Sequence, residues 1–302
     1  MSRVATIPLQ RTMSAAIQHA QQSLAKTQQQ LSTGKKAADF AALGTEAVRN
    51  LSTHSLLAQQ DAYVGVAGRI GTTLTLNDAN MSAIDTAASA LKQSLLTAVG
   101  TGRAPGLSDA ISAAFDQFRA SLNASDGGVS LFGGSQTDGP AFLPNNIAGT
   151  LGVPPAAAFA NDGVKASARL ADGLDVQYGV TASDIGSGLY SAFQTLAAAG
   201  AIGETPTQAQ LDALSQAAGQ IETGLAGLRT VNAENGRKQA QVEALGSSAG
   251  DRSLLMQGII TNNEDADLGQ VAIDLAQQKM TLQASYSVFS QLSGLSLASY
   301  LH

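Results

Sequence analysis

Three histidines, His19, His54 and His302, are the natural candidates for metal binding or general base catalysis. A zinc site on a helix needs two histidines one turn apart, as in HxxxH or HExxH, and neither pattern occurs. The chain has no cysteine, which excludes thiol nucleophiles, thiolate metal sites and disulfides. We therefore expect a protein that is not an enzyme and that holds no catalytic site, no metal and no cofactor.

Two further segments could bind ions. Residues 131–135 (LFGGS) are glycine-rich, but the lysine of a phosphate-binding loop does not follow them, so a turn between strands is favoured. Glu264, Asp265 and Asp267 could hold a cation, but they also suit the first turn of a helix, where the helix dipole favours negative charge. With Asn262 or Asn263 as the cap, we predict a helix from Glu264 to about Ser293.

The elements that position these residues are long helices with narrow apolar seams. The C-terminal helix repeats mostly apolar residues with the heptad spacing of a coiled coil, at Leu268, Val271, Leu275, Gln278, Leu282, Ser285, Phe289 and Leu292. Near the N-terminus the same alternation of three and four residues connects Met13, Ile17, Ala20, Leu24, Thr27 and Leu31, and Gly34 ends it. Each seam needs a partner helix, and we predict that these two helices pair with each other.

Between the termini, further seams predict two long helices, and a region rich in proline and glycine separates them. Residues 164–170 and 174–180 alternate in polarity around Asp172-Gly173, which predicts a β-hairpin. The fold class is therefore mainly α, a long antiparallel helical hairpin or coiled coil formed by the two halves, with a small β-rich insertion.

The same pattern divides the chain into three predicted domains. A terminal coiled-coil domain combines residues 1–40 and 262–302. A long-helix bundle combines residues 41–126 and 187–261, and a small β-rich domain spans residues 127–186.

Composition and hydropathy argue against two classes of binding partner. The formal net charge is −6 and only 13% of residues are charged, so nucleic acid, which requires clustered lysine and arginine, is not expected as a partner. No run of 18 or more apolar residues predicts a transmembrane helix, so we expect no membrane partner. The N-terminus lacks the continuous apolar core of a secretory signal peptide, although its charges are all basic before Asp39.

Three segments carry a resemblance to the flagellin superfamily. Residues 30–36 (QLSTGKK) follow the first coiled-coil helix, as in that family, and residues 284–286 and 291–297 resemble its terminal helix. Residues 131–142 (LFGGSQTDGPAF) are similar to a segment of its hook–filament junction proteins, the hook-associated protein 3 type. The acidic segment that usually follows the first motif is not matched, because residues 38–44 read ADFAALG. The family motif residues are Leu31, Ser32, Thr33, Gly34, Lys35, Leu131, Phe132, Gly133, Gly134, Thr137, Asp138, Pro140 and Phe142.

The resemblance implies a structural component of the bacterial flagellum that is exported through the flagellar type III channel without a cleaved signal peptide. Its implied partners are further copies of itself, the first hook-associated protein, flagellin, and an export chaperone at the C-terminal part. It also implies that the terminal helices pair only in the assembled tube. Two alternatives stay open: a flagellin that forms the filament itself, and a cytoplasmic helical adaptor.

Overall fold

Long helices dominate the chain, which a computed structural model describes over residues 3–298, with side chains described over residues 11–291. The chain forms two compact units, one of Met1–Gln59 with Arg252–His302 and one of Gln60–Asp251. The helices in chain order are α1 (Arg3–Thr33), α2 (Ala47–Thr101), α3 (Leu107–Leu122), α4 (Pro155–Ala158), α5 (Ala182–Ala198), α6 (Gln208–Glu264) and α7 (Leu268–Ala298). A 3-10 helix, Ala41–Glu46, precedes α2 and another spans Ile147–Thr150. The mainly α fold class is confirmed.

In the first unit, α1 and α7 run antiparallel. Gln21 Nε2 donates to the hydroxyl of Tyr286 at 2.5 Å, and Lys35 forms an antiparallel bridge with Asp265. The residue number rises from 21 to 35 along α1 and its continuation while it falls from 286 to 265 along α7 and the segment before it, which is the antiparallel order. The predicted partner of the C-terminal seam, residues 13–33, is therefore confirmed.

The helix start predicted around Asn262 to Glu264 is wrong. Glu264 is the last residue of α6, and α7 begins four residues later. Asp267 caps α7, since its Oδ1 accepts from Gly269 N at 2.9 Å and Gln270 N at 3.2 Å. The carboxylates of Glu264 and Asp265 pair with side chains from other segments, so they do not cap the helix.

In the second unit, an aromatic cluster forms the centre of the core. Phe142 lies 5.3 Å from the Phe118 and Phe159 rings and 5.8 Å from the Tyr190 ring, centroid to centroid. Phe115 and Phe193 complete the cluster at ring distances of the same order. These rings come from α3, α5 and the irregular segment between them. Six rings in contact supply much of the bulk that an alanine-rich helix pair lacks.

Two small antiparallel hairpins belong to the second unit. β1 (Ser125–Asp126) pairs with β2 (Val129–Ser130), and β3 (Ser167–Ala171) pairs with β4 (Leu174–Gln177). Gly173 takes a positive φ of 69° in the β3–β4 turn, a conformation that glycine adopts without a Cβ clash. The predicted hairpin is thereby confirmed. Leu170 and Val176 are its buried residues, and they pack on Ile70 and Val242 of the two long helices.

Candidate assembly site

The seam between α1 and α7 contains the predicted residues. Ile17, Thr27 and Val271 are buried. Partly covered side chains continue the seam at Met13, Leu24, Leu275, Leu282 and Phe289. Its edges are open, since Leu31 is 40% exposed and Leu268 is 50% exposed. Leu292 lies within α7, but its side chain is outside the described residues.

A second apolar stripe on α7 faces away from the seam. Ile273 is 62% exposed, Met280 is 64% exposed and Val288 is 47% exposed. At 100° per residue, Ile273 and Met280 lie within about 20° of each other and nearly opposite Leu282. Full burial of such a side chain contributes about 1.5–3 kcal/mol. Ile273 and Met280 form the line of this stripe, Val288 lies about 60–80° to one side, and a surface that covers all three would gain substantially from their burial.

Sequence reasoning missed this outer stripe because it followed one heptad seam only. The signal was present, since between Leu268 and Gln291 the only charged residues are Asp274 and Lys279. Both lie about 100–120° around the helix from Ile273 and Met280. Lys279 lies on the side opposite Val288, although Asp274 lies only about 40° from Val288. An apolar stripe with no charge on the line between its two main residues, on a helix whose other face is already paired, indicates an interface.

A polar cluster lies at the end of the helix pair nearest α2, and we call it the clasp: Lys35, Asn50, His54, Glu264 and Asp265. Oε1 of Glu264 lies 2.6 Å from Asn50 Nδ2 and 2.5 Å from His54 Nε2. Its Oε2 lies 3.3 Å from Lys35 Nζ, and the same ammonium lies 2.6 Å from Asp265 Oδ1. One carboxylate thus joins the end of α6 to the start of α2 and to the segment that leaves α1.

Backbone bonds reinforce the clasp. The amide of Lys36 donates to the Glu264 carbonyl at 2.6 Å, and the amide of Ala266 donates to the Gly34 carbonyl at 2.8 Å. Gln30 Nε2 donates to the Lys36 carbonyl at 2.7 Å. The segment after α1 therefore pairs like a short strand with the connector between α6 and α7.

The charges of the clasp shift two pKa values. Burial of the Glu264 carboxyl opposes ionisation, but hydrogen bonds from His54, Lys35 and Asn50 outweigh it and hold its pKa below the ordinary value. The hydrogen bond to Asp265 is the main cause that raises the pKa of Lys35. Both shifts favour the ionised forms, which extends the pH range over which the two charges face each other.

The first family motif forms the end of α1 and part of the clasp. The hydroxyls of Ser32 and Thr33 donate to the Gln29 carbonyl at 2.9 and 2.8 Å. Gly34 takes a φ of 68° and its amide donates to the Gln30 carbonyl, which ends the helix. Lys35 then enters the clasp. The motif therefore has a local structural role at the point where the chain leaves α1.

The aromatic residues of the middle motif, residues 131–142, belong to the core of the second unit. Phe132 and Phe142 are buried, and Leu131 packs partly against the same core. Asn123 fixes Phe142, since its Oδ1 accepts from the Phe142 amide at 2.8 Å and its Nδ2 donates to the Phe142 carbonyl at 2.9 Å. Packing in the core thus explains the apolar positions of this motif.

The two glycines of the middle motif sit where the chain is most crowded. A Cβ on Gly133 would lie 2.1 Å from the Gln136 carbonyl, and one on Gly134 would lie 2.2 Å from Asp162 Oδ1. Asp162 Oδ1 in turn accepts from Ser135 N at 2.9 Å. The polar motif residues Thr137, Asp138 and Pro140 follow on a less buried turn, where Thr137 Oγ1 donates to Asp138 Oδ1 at 3.2 Å.

A GxSxG pattern, typical of serine hydrolases, spans residues 246–250. The nucleophile of those enzymes sits on a sharp turn from a strand to a helix, whereas Ser248 lies inside the continuous helix α6. This pattern therefore does not indicate a catalytic serine. Among the described residues, no group of three or more His, Cys, Asp or Glu side chains could hold a metal ion. None of the helices, over the residues described, has the length and apolar character needed to cross a membrane.

No protein-family model matches the sequence, and neither does any curated protein sequence. Solved structures do match. One is a protein assigned as a flagellar hook-associated protein of Vibrio parahaemolyticus, with a TM-score of 0.57 and 17% sequence identity, over 72% of this chain and 97% of that chain. The chain has the fold of a flagellar hook-associated protein. FlgL of Bacillus cereus matches with a TM-score of 0.55 and 13% identity, over 70% of this chain and 98% of that chain.

The similarity extends over nearly the whole length of both hook-associated structures. At these identities the likeness establishes the fold. It agrees with the resemblance found in the three sequence motifs, and it extends that resemblance from short segments to most of the chain.

Proposed function

We propose that this chain is a structural subunit of the bacterial flagellum, a junction protein that links the first hook-associated protein to the flagellin filament. The observation that supports this most is the shared fold with a hook-associated protein and with FlgL, each covered almost completely. The middle motif, residues 131–142, supports the junction role over that of a filament subunit, because it resembles the junction proteins.

In this proposal the terminal helix pair is the assembly element. The seam residues hold α1 to α7, and the outer stripe of Ile273, Met280 and Val288 provides the contact to neighbouring subunits in a ring or tube of identical chains. The same stripe has to be covered before assembly. An export chaperone at the C-terminal part is the partner we propose for that stage.

The proposed role is structural, without an enzymatic activity or a cofactor, and it places the protein outside the cell in the flagellum. Deletion of the gene in its motile host tests this. We expect cells that assemble hooks but release flagellin into the medium, because the filament lacks its base. Loss of flagellin secretion together with the filament, or unchanged motility, would contradict the junction role.

Complementation with point variants tests the assembly element. Ile273→Asp places a charge on the outer stripe, and we expect it to leave the helical content of the purified protein unchanged but to abolish motility, because burying an unpaired carboxylate is costly. Lys279→Asp changes the charge of the same helix outside the stripe and is the matched control. Equal motility with both variants would refute the assignment of the stripe.

Two seam variants complete the set. Leu24→Asp and Leu275→Asp are expected to separate α1 from α7 and to block assembly, with the second unit still folded.

A filament subunit would behave differently from a junction protein: the purified wild type would form long filaments in kosmotropic salt, as electron microscopy would reveal. Such filaments would favour the flagellin alternative.

A further inference from the structure

The clasp lies where four stretches of the chain meet in the first unit. These are the end of α1, the first turns of α2, the last residue of α6 and the first connector residues before α7. Only residues 34–40 with the following 3-10 helix, and residues 265–267, connect the terminal pair covalently to α2 and α6. Noncovalent contacts of the clasp, together with the edge-to-face contact of the Phe40 and His54 rings at 5.7 Å, hold this end of the pair beside α2.

Glu264 is the only acceptor that several of these contacts share. Asn50 and His54 reach it from α2, and Lys35 reaches it from the segment after α1. Asp39 lines the same small cavity of about 160 Å³, and Asp265 takes the other contact of Lys35. Lys36 also belongs to the surroundings, since its Nζ donates to the Asn262 carbonyl.

Loss of this acceptor would affect the buried side chain of Asn50. Asn50 is fully buried, its Nδ2 donates to Glu264, and its Oδ1 has no hydrogen-bond partner among the described residues. If Glu264 loses its charge, only one of its oxygens remains a good acceptor, so Asn50, His54 and Lys35 can no longer all be satisfied, and Lys35 would keep Asp265 only. An unpaired buried polar group is strongly unfavourable, so the local packing would open to let water in.

We propose that Glu264 is the positioning residue of an electrostatic lock, which holds the segment after α1 and the first turns of α2 against the end of α6 and releases them when the negative charge of Glu264 is lost. The lock is distinct from the seam, because it acts at this junction and not along the paired faces of α1 and α7. It does not depend on the proposed role in the flagellum, since every contact lies within one chain.

Hydrogen exchange on the full-length purified chain tests the lock. The amides of Lys36 and Ala266 are the reporters, because their acceptors lie across the clasp. In Glu264→Gln one carboxylate oxygen becomes an NH₂ group that accepts nothing, and we expect both amides to exchange about ten- to a hundredfold faster than in the wild type. Glu243→Gln removes the same charge at an exposed site of α6 and is the control.

The Tyr178 amide, which donates to the Ala166 carbonyl next to the β3–β4 hairpin, reports the second unit. It should stay protected in both variants. The proposal is overturned if Lys36 and Ala266 keep wild-type protection in Glu264→Gln, or if Tyr178 loses protection together with them. Salt screens charge–charge contacts but not apolar packing, so it distinguishes the two causes of protection. Added salt should speed exchange of the Lys36 and Ala266 amides in the wild type and not in Glu264→Gln. An equal response to salt in both proteins also overturns the lock.

Discussion

Gly224 offers the sharpest test of the packing in the second unit. A Cβ added to Gly224 would lie 2.8 Å from the Gly188 carbonyl carbon and 2.8 Å from the Leu189 nitrogen. Carbon atoms pack at about 3.5–4.0 Å, so α5 and α6 would have to separate by roughly 0.7 Å. Both obstacles are backbone atoms, which cannot swing aside as a side chain can.

Two opposite effects set the magnitude for Gly224→Ala. Replacing glycine by alanine inside a helix stabilises by about 1 kcal/mol, while overpacking a close contact costs about 1–3 kcal/mol. Gly219→Ala in the same helix meets nothing within 4 Å and should show the helix gain alone. The difference between the two variants in free energy of unfolding is therefore about 1–3 kcal/mol.

Thermal unfolding by circular dichroism and urea titration measure this difference. For a domain of 150–250 residues, 1 kcal/mol corresponds to about 2–4 °C in Tm. We expect Gly219→Ala to melt above the wild type and Gly224→Ala to melt clearly below Gly219→Ala. If the two variants have the same stability, the close approach of α5 and α6 at Gly188 and Gly224 is not present in solution.

Three further outcomes are expected. The pKa of Glu264 lies below its ordinary value of 4.5, so the ionised carboxylate stabilises the folded clasp above pH 4.5, and this stabilisation is lost as pH falls through the lowered pKa. Hydrogen exchange measured against pH should therefore show that the Lys36 amide loses protection in that acidic range. A parallel loss of protection in Glu264→Gln would contradict this expectation. Phe142→Ala should cost about 3–5 kcal/mol in denaturant titration, because it leaves a cavity among four contacting rings; a loss below 1 kcal/mol would be inconsistent with a buried ring. Gln278→Leu should raise the Tm of the terminal pair, because Gln278 Oε1 is buried with no partner among the described residues, and a lower Tm would show that this oxygen is satisfied in solution.

The pairing of α1 with α7 could be predicted because a thin heptad seam has few ways to be covered. Both seams recur over several turns, and such long-range periodicity survives errors at single positions. The β3–β4 hairpin could also be predicted, since Asp172-Gly173 between alternating segments is a strong local turn signal.

The end of α6 could not be predicted in the same way. Asn262, Asn263 and the acidic residues after them suit a helix start, yet they also occur inside a helix when tertiary contacts compete. Here Glu264 binds Lys35, which is 229 positions away in the sequence. Gly133 and Gly134 were predicted only as part of a turn between strands for a related reason, because the crowding around Gly134 comes from Asp162, which no local pattern reveals. The clasp as a whole consists of such distant partners, and periodicity carries no information about them.

The β3–β4 turn also has a practical consequence for imaging. Asp172 and Gly173 are exposed at the tip of a hairpin whose buried residues lie on its strands. The chain contains no cysteine, so Asp172→Cys creates a single thiol for a fluorescent dye without any background substitution. The antiparallel course of α1 and α7 brings the start of one beside the end of the other, so tags on either helix would crowd the same place. A dye on the hairpin tip would report the position of each subunit while both terminal helices remain unmodified.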